Sequence, residues 1–320
     1  MPRIWHKTLF KLLKKGHFAL LGHFPMAHMY VKIGQNCHFY AIPADGFRFE
    51  MKPGTTSAFA THACTHQWHN LGEANSMRIL ITNDDGIYSP GLAALAHIAK
   101  QFGDVVVVAP DAEQSSMGHA VTHSRPLSLR TSPVPFEGIE AFRVNGTPAD
   151  CTALGTHLYS QIDVVLSGIN MGLNVGNSMW HSGTLAAAKQ AVLLGKKGIA
   201  LSTPVKNGYP KFDLLQPYIN QALEILFQSP GVGLWNVNFP FEPKDIIWTR
   251  QSVRQYDGTI VPGLDPNGAK HYWFTVTPLA PAEEGTDRWA IEHDLVSITP
   301  LRLDLTDEKE LERRQVHQPI

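Results

Sequence analysis

Two aspartates stand side by side at positions 84 and 85, at the end of the apolar run in "MRILITNDDG" (residues 77–86). Adjacent carboxylates repel, and the pair raises the pKa of one member unless a cation neutralises it. A hard divalent cation does so by taking oxygen ligands from Asp, Asn and Ser. Asp-Asp-Gly is equally at home as a turn or a helix cap. Further polar groups follow other apolar runs: Ser115, Ser116 and His119 in "DAEQSSMGH", Ser167, Asn170 and Asn174 in "SGINMGLNVGN", and Ser182 and Thr184 in "HSGT". None is a thiolate and histidine is marginal, so Mg²⁺ or Mn²⁺ suits the set better than zinc. The glycines at 168, 172 and 176 and the helix start at Ser182 offer backbone N–H groups to an anion. A metal beside an anion site suits phosphate ester hydrolysis. Other roles stay open: Asn170 and Asn174 as left-handed turn residues, Asp150 as a capping-box residue, and His119 and His181 as structural side chains.

The elements that must position these groups alternate between strand and helix patterns from Arg78 onward. This predicts an α/β fold, a Rossmann-like three-layer structure with a mostly parallel sheet. Arg78–Thr82, the β-branched run Val105–Pro110, and Asp163–Asn170 read as buried strands, with Ala141–Asn145 weaker and Gly198–Thr203 following. Pro90–Phe102, the segment opened by "TPAD", "SGTLAAAKQAVLLG" closed by Gly195, and Phe212–Gln228 read as helices. In such a sheet, ligands bind outside the carboxyl ends of the strands, where the polar groups above collect. After Trp235 the pattern turns β-rich, with strand-like pieces at Trp235–Phe239, Tyr272–Val276 and Leu295–Ile298, an extended hairpin around "VPGLDPNGAK", and a charged, solvated tail from Asp304.

The chain has 320 residues, 43% hydrophobic, with a net charge of −1. That charge gives no case for nucleic acid as a partner, and no apolar run reaches the roughly 18–20 residues of a membrane span. Three cysteines make no disulfide framework, so a reducing, cytoplasmic compartment is expected. Residues 1–76 differ from the rest: they hold 8 of the 16 histidines, and 8 Lys and Arg against 3 Asp and Glu. Lys7, Lys11, Lys14 and Lys15 interleave with Leu9, Phe10, Leu12 and Leu13 as in a short basic amphipathic targeting helix, and "HACTHQWH" brings His62, Cys64, His66 and His69 within eight residues. The favoured expectation is a disordered extension or upstream sequence, with Met77 as the start of the working protein and residues 77–320 as its domain.

"MRILITNDDGIYSPGLAAL", "VVVAPDAEQSSMGHAVT", "VNGTPADC", "VVLSGINMGLNVGN", "HSGTLAAA" and "VSITPL" resemble, in order and spacing, the survival protein SurE family of metal-dependent nucleotidases, from Met77 to about Leu301. The resemblance implies one divalent ion per subunit, Mg²⁺ or Mn²⁺, on Asp84, Asp85, Ser115 and Asn170, with the two aspartates as the catalytic candidates. It implies an anion site of Ser182, Gly183 and Thr184 with Asn174 lining the loop, and Asn83 joins these as a phosphate-binding candidate. It further implies 5′- or 3′-nucleoside monophosphate phosphatase activity, in some members with trimming of short polyphosphate. The family pattern includes homodimers or homotetramers that exchange C-terminal segments and a hairpin. Asn177-Ser178 and Lys189-Gln190-Ala191 depart from the family pattern, at positions that bear on substrate preference and subunit contacts.

Two other readings compete. An aspartyl-phosphate phosphatase would use one aspartate as a covalent nucleophile, but that chemistry usually spaces its aspartates by one residue. A non-catalytic nucleotide sensor would keep the site without turnover. A dinucleotide-dependent oxidoreductase fits least, since no G-x-G-x-x-G follows the first strand.

Overall fold

The computed structural model describes residues 76–159, 161–205, 210–253, 256–278 and 281–317. The readings made for residues 1–75, including the amphipathic helix and the His/Cys cluster, lie outside the described residues.

Strands β1 (Arg78–Thr82), β2 (Asp104–Pro110), β3 (Leu129–Thr131), β4 (Glu140–Val144), β5 (Val164–Met171), β6 (Lys197–Thr203), β7 (Leu234–Asn238), β8 (Asp245–Trp248) and β11 (Leu295–Leu301) form one sheet in the order β3-β4-β2-β1-β5-β6-β7-β11-β8. All neighbours are parallel except β3 with β4 and β7 with β11. β9 (Tyr256–Leu264) and β10 (Lys270–Pro278) form a separate antiparallel ribbon. The sheet grows outward from β1 to β2 and β4 on one side, then restarts at β5 on the other. The crevice between the carboxyl ends of β1 and β5 is therefore a topological switch point, where an open α/β sheet accepts ligands.

Alternation along the strands sends side chains into two helical layers. Ile79 and Ile81 of β1 pack with Val107 and Leu166 against Leu92 and Leu95 of α1 (Pro90–Ala99) and Ile219 and Leu223 of α4 (Phe212–Gln228). Leu80, between them, packs with Val106 and Val108 on the opposite face against Cys151 of α2 (Pro148–Leu158) and Ala191 of α3 (Gly183–Leu193). Each fully buried aliphatic side chain in these layers contributes on the order of 1.5–3 kcal/mol. The parallel three-layer architecture is the one the strand and helix periods predicted.

α2 begins as its sequence indicates. The Thr147 side chain accepts from the Asp150 N–H, and the Asp150 carboxylate accepts from the Thr147 N–H in return. These bonds, with others from Thr122, outweigh burial and hold the Asp150 pKa low.

The C-terminal part is β-rich with an extended hairpin, as expected: β7, β11 and β8 extend the main sheet, and the β9–β10 ribbon stands apart from it. A short helix, α5 (Asp287–Glu292), precedes β11. The charged tail also carries a helix, α6 (Glu308–His317), on which Arg314 pairs with Glu310 one turn earlier at 2.7 Å. No helix among the described residues is long and apolar enough to cross a membrane.

Candidate active site

The β1 strand ends in a turn held by Asn83. Its Nδ2 donates to the Gly86 carbonyl at 3.0 Å, and the Gly86 N–H donates back to Oδ1 at 3.2 Å. The Ile87 N–H donates to the Pro110 carbonyl at 2.8 Å and the Gln114 N–H to the Asp84 carbonyl at 2.7 Å, tying the turn to the segment after β2. Asn83 is fully buried and shapes this turn, while Asp84 and Asp85 after it line a cavity of about 1190 Å³.

Asp84 lies 4% exposed at the back of that cavity. Thr184 Oγ1 donates to its Oδ1 at 2.6 Å, and burial raises its pKa against the lowering effect of that bond. A Cβ at Gly183 would stand 2.8 Å from the Asp84 Cβ and 3.0 Å from Oδ2, so glycine is what lets α3 start against the carboxylate. Asp85 is half-buried and accepts a long bond from the Met171 N–H at 3.4 Å. Burial first, and the Asp84 charge second, push its pKa up to about 6. The repulsion expected from adjacent aspartates is thus present in the fold.

Asn170 lies past a register shift in β5 and donates its Nδ2 to the Gly172 carbonyl at 2.7 Å, which leaves its amide oxygen as the atom to face a ligand. Ser115 Oγ donates to Glu113 Oε1 at 2.7 Å, so the hydroxyl lone pairs remain available. Asp84, Asp85, Ser115 and Asn170 all line the cavity, as do Asn174 and Ser182. Gly183 and Thr184 stand behind Asp84, and Ser182 caps α3 by accepting from the Leu185 N–H at 3.0 Å.

Among the described residues no group of three or more His, Cys, Asp or Glu is placed to hold a metal. The donor set here is two carboxylates with a carboxamide and a hydroxyl. Those four oxygen-bearing side chains, two of them like-charged carboxylates held at raised pKa, fit a hard divalent cation and fit a thiophilic one poorly.

The loop after β5 is fastened to the far strands. Asn174 Nδ2 donates to Ser202 Oγ at 2.8 Å, its N–H donates to Asn238 Oδ1 at 2.9 Å, and its carbonyl accepts from Asn236 Nδ2 at 2.7 Å and Asn238 Nδ2 at 3.1 Å. The fully buried Asp287 accepts from the Gly176 N–H through Oδ2 and from the Ser252 N–H through Oδ1, both at 2.9 Å. Between them the expected loop contains a 3₁₀ turn, Gly176–Trp180. Sequence reading passed over Asn236, Asn238, Asp287, Glu113 and the cavity-lining Tyr88 and Phe274. The pair in "WNVN", polar at every second position of a buried strand, is a signal that could have found the first two. His181 lines the cavity, whereas His119 pairs with Gln190 at 2.9 Å, and Lys189 lies 5.8 Å from the ring centre of Trp180.

A family model described as survival protein SurE matches residues 79–258. The chain is 46% identical over 235 residues to 5'-nucleotidase SurE 1 of Thermus thermophilus, covering 72% of this chain and 93% of that protein. It is 41% identical over 238 residues to 5'-nucleotidase SurE of Deinococcus radiodurans, covering 72% and 88%. The crystal structure of the SurE protein from Aquifex aeolicus superposes with a TM-score of 0.65 at 37% identity, covering 75% of this chain and 99% of that one. With the family model spanning more than half of the sequence and relatives matched over most of their length, the chain belongs to the survival protein SurE family.

Proposed function

We propose that the chain hydrolyses nucleoside monophosphates to nucleoside and inorganic phosphate, using a divalent cation held by Asp84, Asp85, Ser115 and Asn170. The observation that carries this reading is the convergence of those four oxygen donors, from three separate strand ends, on one cavity. Relatives named 5'-nucleotidase at 40–46% identity support it. When bound, Mg²⁺ or Mn²⁺ would supply Lewis acidity toward a phosphoryl oxygen and acidify a water molecule. The chain supplies the rest. Asp84 and Asp85 provide the negative charge that retains the cation, and the Thr184 hydroxyl fixes the Asp84 carboxylate. The amino end of α3 at Ser182, Gly183 and Thr184 favours negative charge beside it, as the positive end of the helix dipole does for a phosphate dianion. Asn174, immobilised by three other side chains, keeps the wall opposite in place. The same reading includes action on 3′-phosphates and short polyphosphate, and self-association as a homodimer or homotetramer through the β9–β10 ribbon.

Phosphate release from a panel of nucleoside monophosphates with Mg²⁺, Mn²⁺ and other divalent ions tests it. Activity is expected with a hard cation, lost with EDTA, and lost in Asp84→Ala and Asp85→Ala. Full activity in the double variant would overturn it. Tight nucleotide binding without turnover across the metal panel would mark a sensor instead.

A further inference from the structure

The two site aspartates are held unequally. Asp84 accepts a 2.6 Å bond from the Thr184 hydroxyl at the start of α3, whereas Asp85 accepts the long 3.4 Å bond from the Met171 N–H. A second hydroxyl at a helix start stands beside Asp85: that of Ser89, the residue preceding α1. Ser89 is 6% exposed and lines the cavity with both aspartates. Its Oγ is buried and has no hydrogen-bond partner, and Ser89 is the one cavity-lining residue with such an atom among the described residues. Burial and the Asp84 charge dominate the raised Asp85 pKa. The nearby Ser89 hydroxyl pulls weakly the other way, without the geometry of a hydrogen bond.

A serine before a helix ordinarily turns its oxygen to the N–H groups of the first turn. Ser182 does so at α3 and Thr147 does so at α2, but Ser89 makes no such bond at α1. Its backbone is fixed nevertheless. The Ser89 N–H donates to the Gly86 carbonyl at 3.1 Å, its own carbonyl accepts from the Ala93 N–H at 3.2 Å, and Pro90 opens the helix. The first turn is wedged against the strand end that carries Asn170, since a Cβ at Gly91 would stand 2.1 Å from the Ile169 carbonyl oxygen. The hydroxyl is therefore held in place between the Asp85 turn and the end of β5. A buried hydroxyl with no partner raises the free energy of the metal-free fold, and a bond gained in the occupied site removes that cost.

Resting on the cation-dependent reading above, we infer that Ser89 is a positioning residue for Asp85, its hydroxyl donating to the Asp85 carboxylate when a divalent cation occupies the site. Each aspartate then has one hydroxyl from a helix start: Thr184 holds Asp84 in the fold as it stands, and Ser89 holds Asp85 on cation binding. The loose bond from Met171 leaves the Asp85 carboxylate free to make this exchange. Groups that orient a ligating carboxylate in this way strengthen cation binding by about 10–100-fold.

The test measures Mn²⁺ affinity by calorimetry and the melting temperature in EDTA, on the full chain, for the parent and Ser89→Ala. The hydroxyl has no partner in the metal-free fold, so Ser89→Ala is expected to melt in EDTA at or above the parent. The same variant is expected to bind Mn²⁺ about ten-fold more weakly. A serine that serves only to start α1 predicts the reverse, a lower melting temperature in EDTA with Mn²⁺ affinity unchanged. That result, or unchanged affinity alone, overturns the inference and leaves the phosphatase reading standing. A lower melting temperature in EDTA together with weaker Mn²⁺ binding also overturns it, because the hydroxyl would then be paired before the cation arrives. A parent that binds no divalent cation overturns both readings.

Discussion

The Thr184 hydroxyl donates to the Asp84 carboxylate at 2.6 Å, joining the amino end of α3 to the carboxyl end of β1 across 100 residues of chain. Both groups are buried, so this bond is a direct side-chain link between the amino end of α3 and the strand end proposed to hold the cation. Thr184→Val keeps the shape and removes the donor. Loss of a buried donor to a carboxylate costs about 1–3 kcal/mol. The variant is expected to melt lower in EDTA and to bind Mn²⁺ more weakly by calorimetry, while Thr184→Ser restores both. An unchanged Mn²⁺ affinity in Thr184→Val would show that the bond does not orient the ligand.

The pH dependence has a definite sign. The Asp85 pKa is raised from 3.8 to about 6 in the metal-free fold by burial and by Asp84. Between those values the folded chain holds a proton that the unfolded chain has released. The contribution to metal-free stability is therefore fully present below 3.8 and is lost as pH rises through about 6. Asp85→Asn removes that dependence, so in EDTA it is expected to melt above the parent at about pH 8, with the gap closing toward about pH 4. Cation binding needs the proton gone, so Mn²⁺ affinity of the parent should rise between about pH 5 and about pH 7. Melting curves across that range in EDTA and in Mn²⁺ check both statements, and a parent that gains stability with pH in EDTA would contradict the first.

The ribbon offers two apolar faces. Side chains alternate along its strands, so Trp273 opposite Val261 points away from the face that carries Phe274 and Ile260. Trp273 is packed edge-to-face against His271 yet stays 64% exposed. An isolated two-stranded ribbon is marginal in water, and an exposed aromatic pair on it is the kind of anchor that interfaces bury. Replacing Trp273 and Val261 together by Ser is expected to lower the mass measured by light scattering from an oligomer to a smaller species. A monomeric parent would remove self-association from the proposed function.

Much of the site was legible because α/β wiring gathers strand ends: once Arg78–Thr82, Val105–Pro110 and Asp163–Asn170 read as strands, Asp84, Ser115 and Asn170 had to meet. The Thr147–Asp150 capping box was legible for a different reason, being local in sequence. Asn83 shows where residue type falls short. An asparagine that clamps its own turn three residues on has the same neighbours in sequence as one that faces a ligand, and only the bond to Gly86 separates them. Strands β3 and β8 escaped because they are only three and four residues long and carry exposed positions. The Asn174 and Gly176 clamps escaped because their partners lie 62 and 111 residues away and are chosen by tertiary packing.

Asp287 gives that last clamp a measurable consequence. Its two carboxylate oxygens accept from the Gly176 N–H and the Ser252 N–H, while the Gln251 side chain donates to the Gly176 carbonyl at 3.0 Å. The loop that begins at Asn170 is thus tied at its far end to the segment around α5. Asp287→Asn nearly preserves volume but turns one acceptor into a donor, which then faces an N–H inside a fully buried site. The loss is about 1–3 kcal/mol for the orphaned groups, read as a lower melting temperature. The loop also carries Asn170 and Asn174, so loosening it should lower kcat more than the melting shift explains, with amide exchange faster at Gly176. Unchanged exchange at Gly176 alongside a lower melting temperature would confine the role of Asp287 to stability. Faster exchange together with reduced kcat at a temperature where the variant remains folded would establish it as a positioning residue for the Asn170–Asn174 wall.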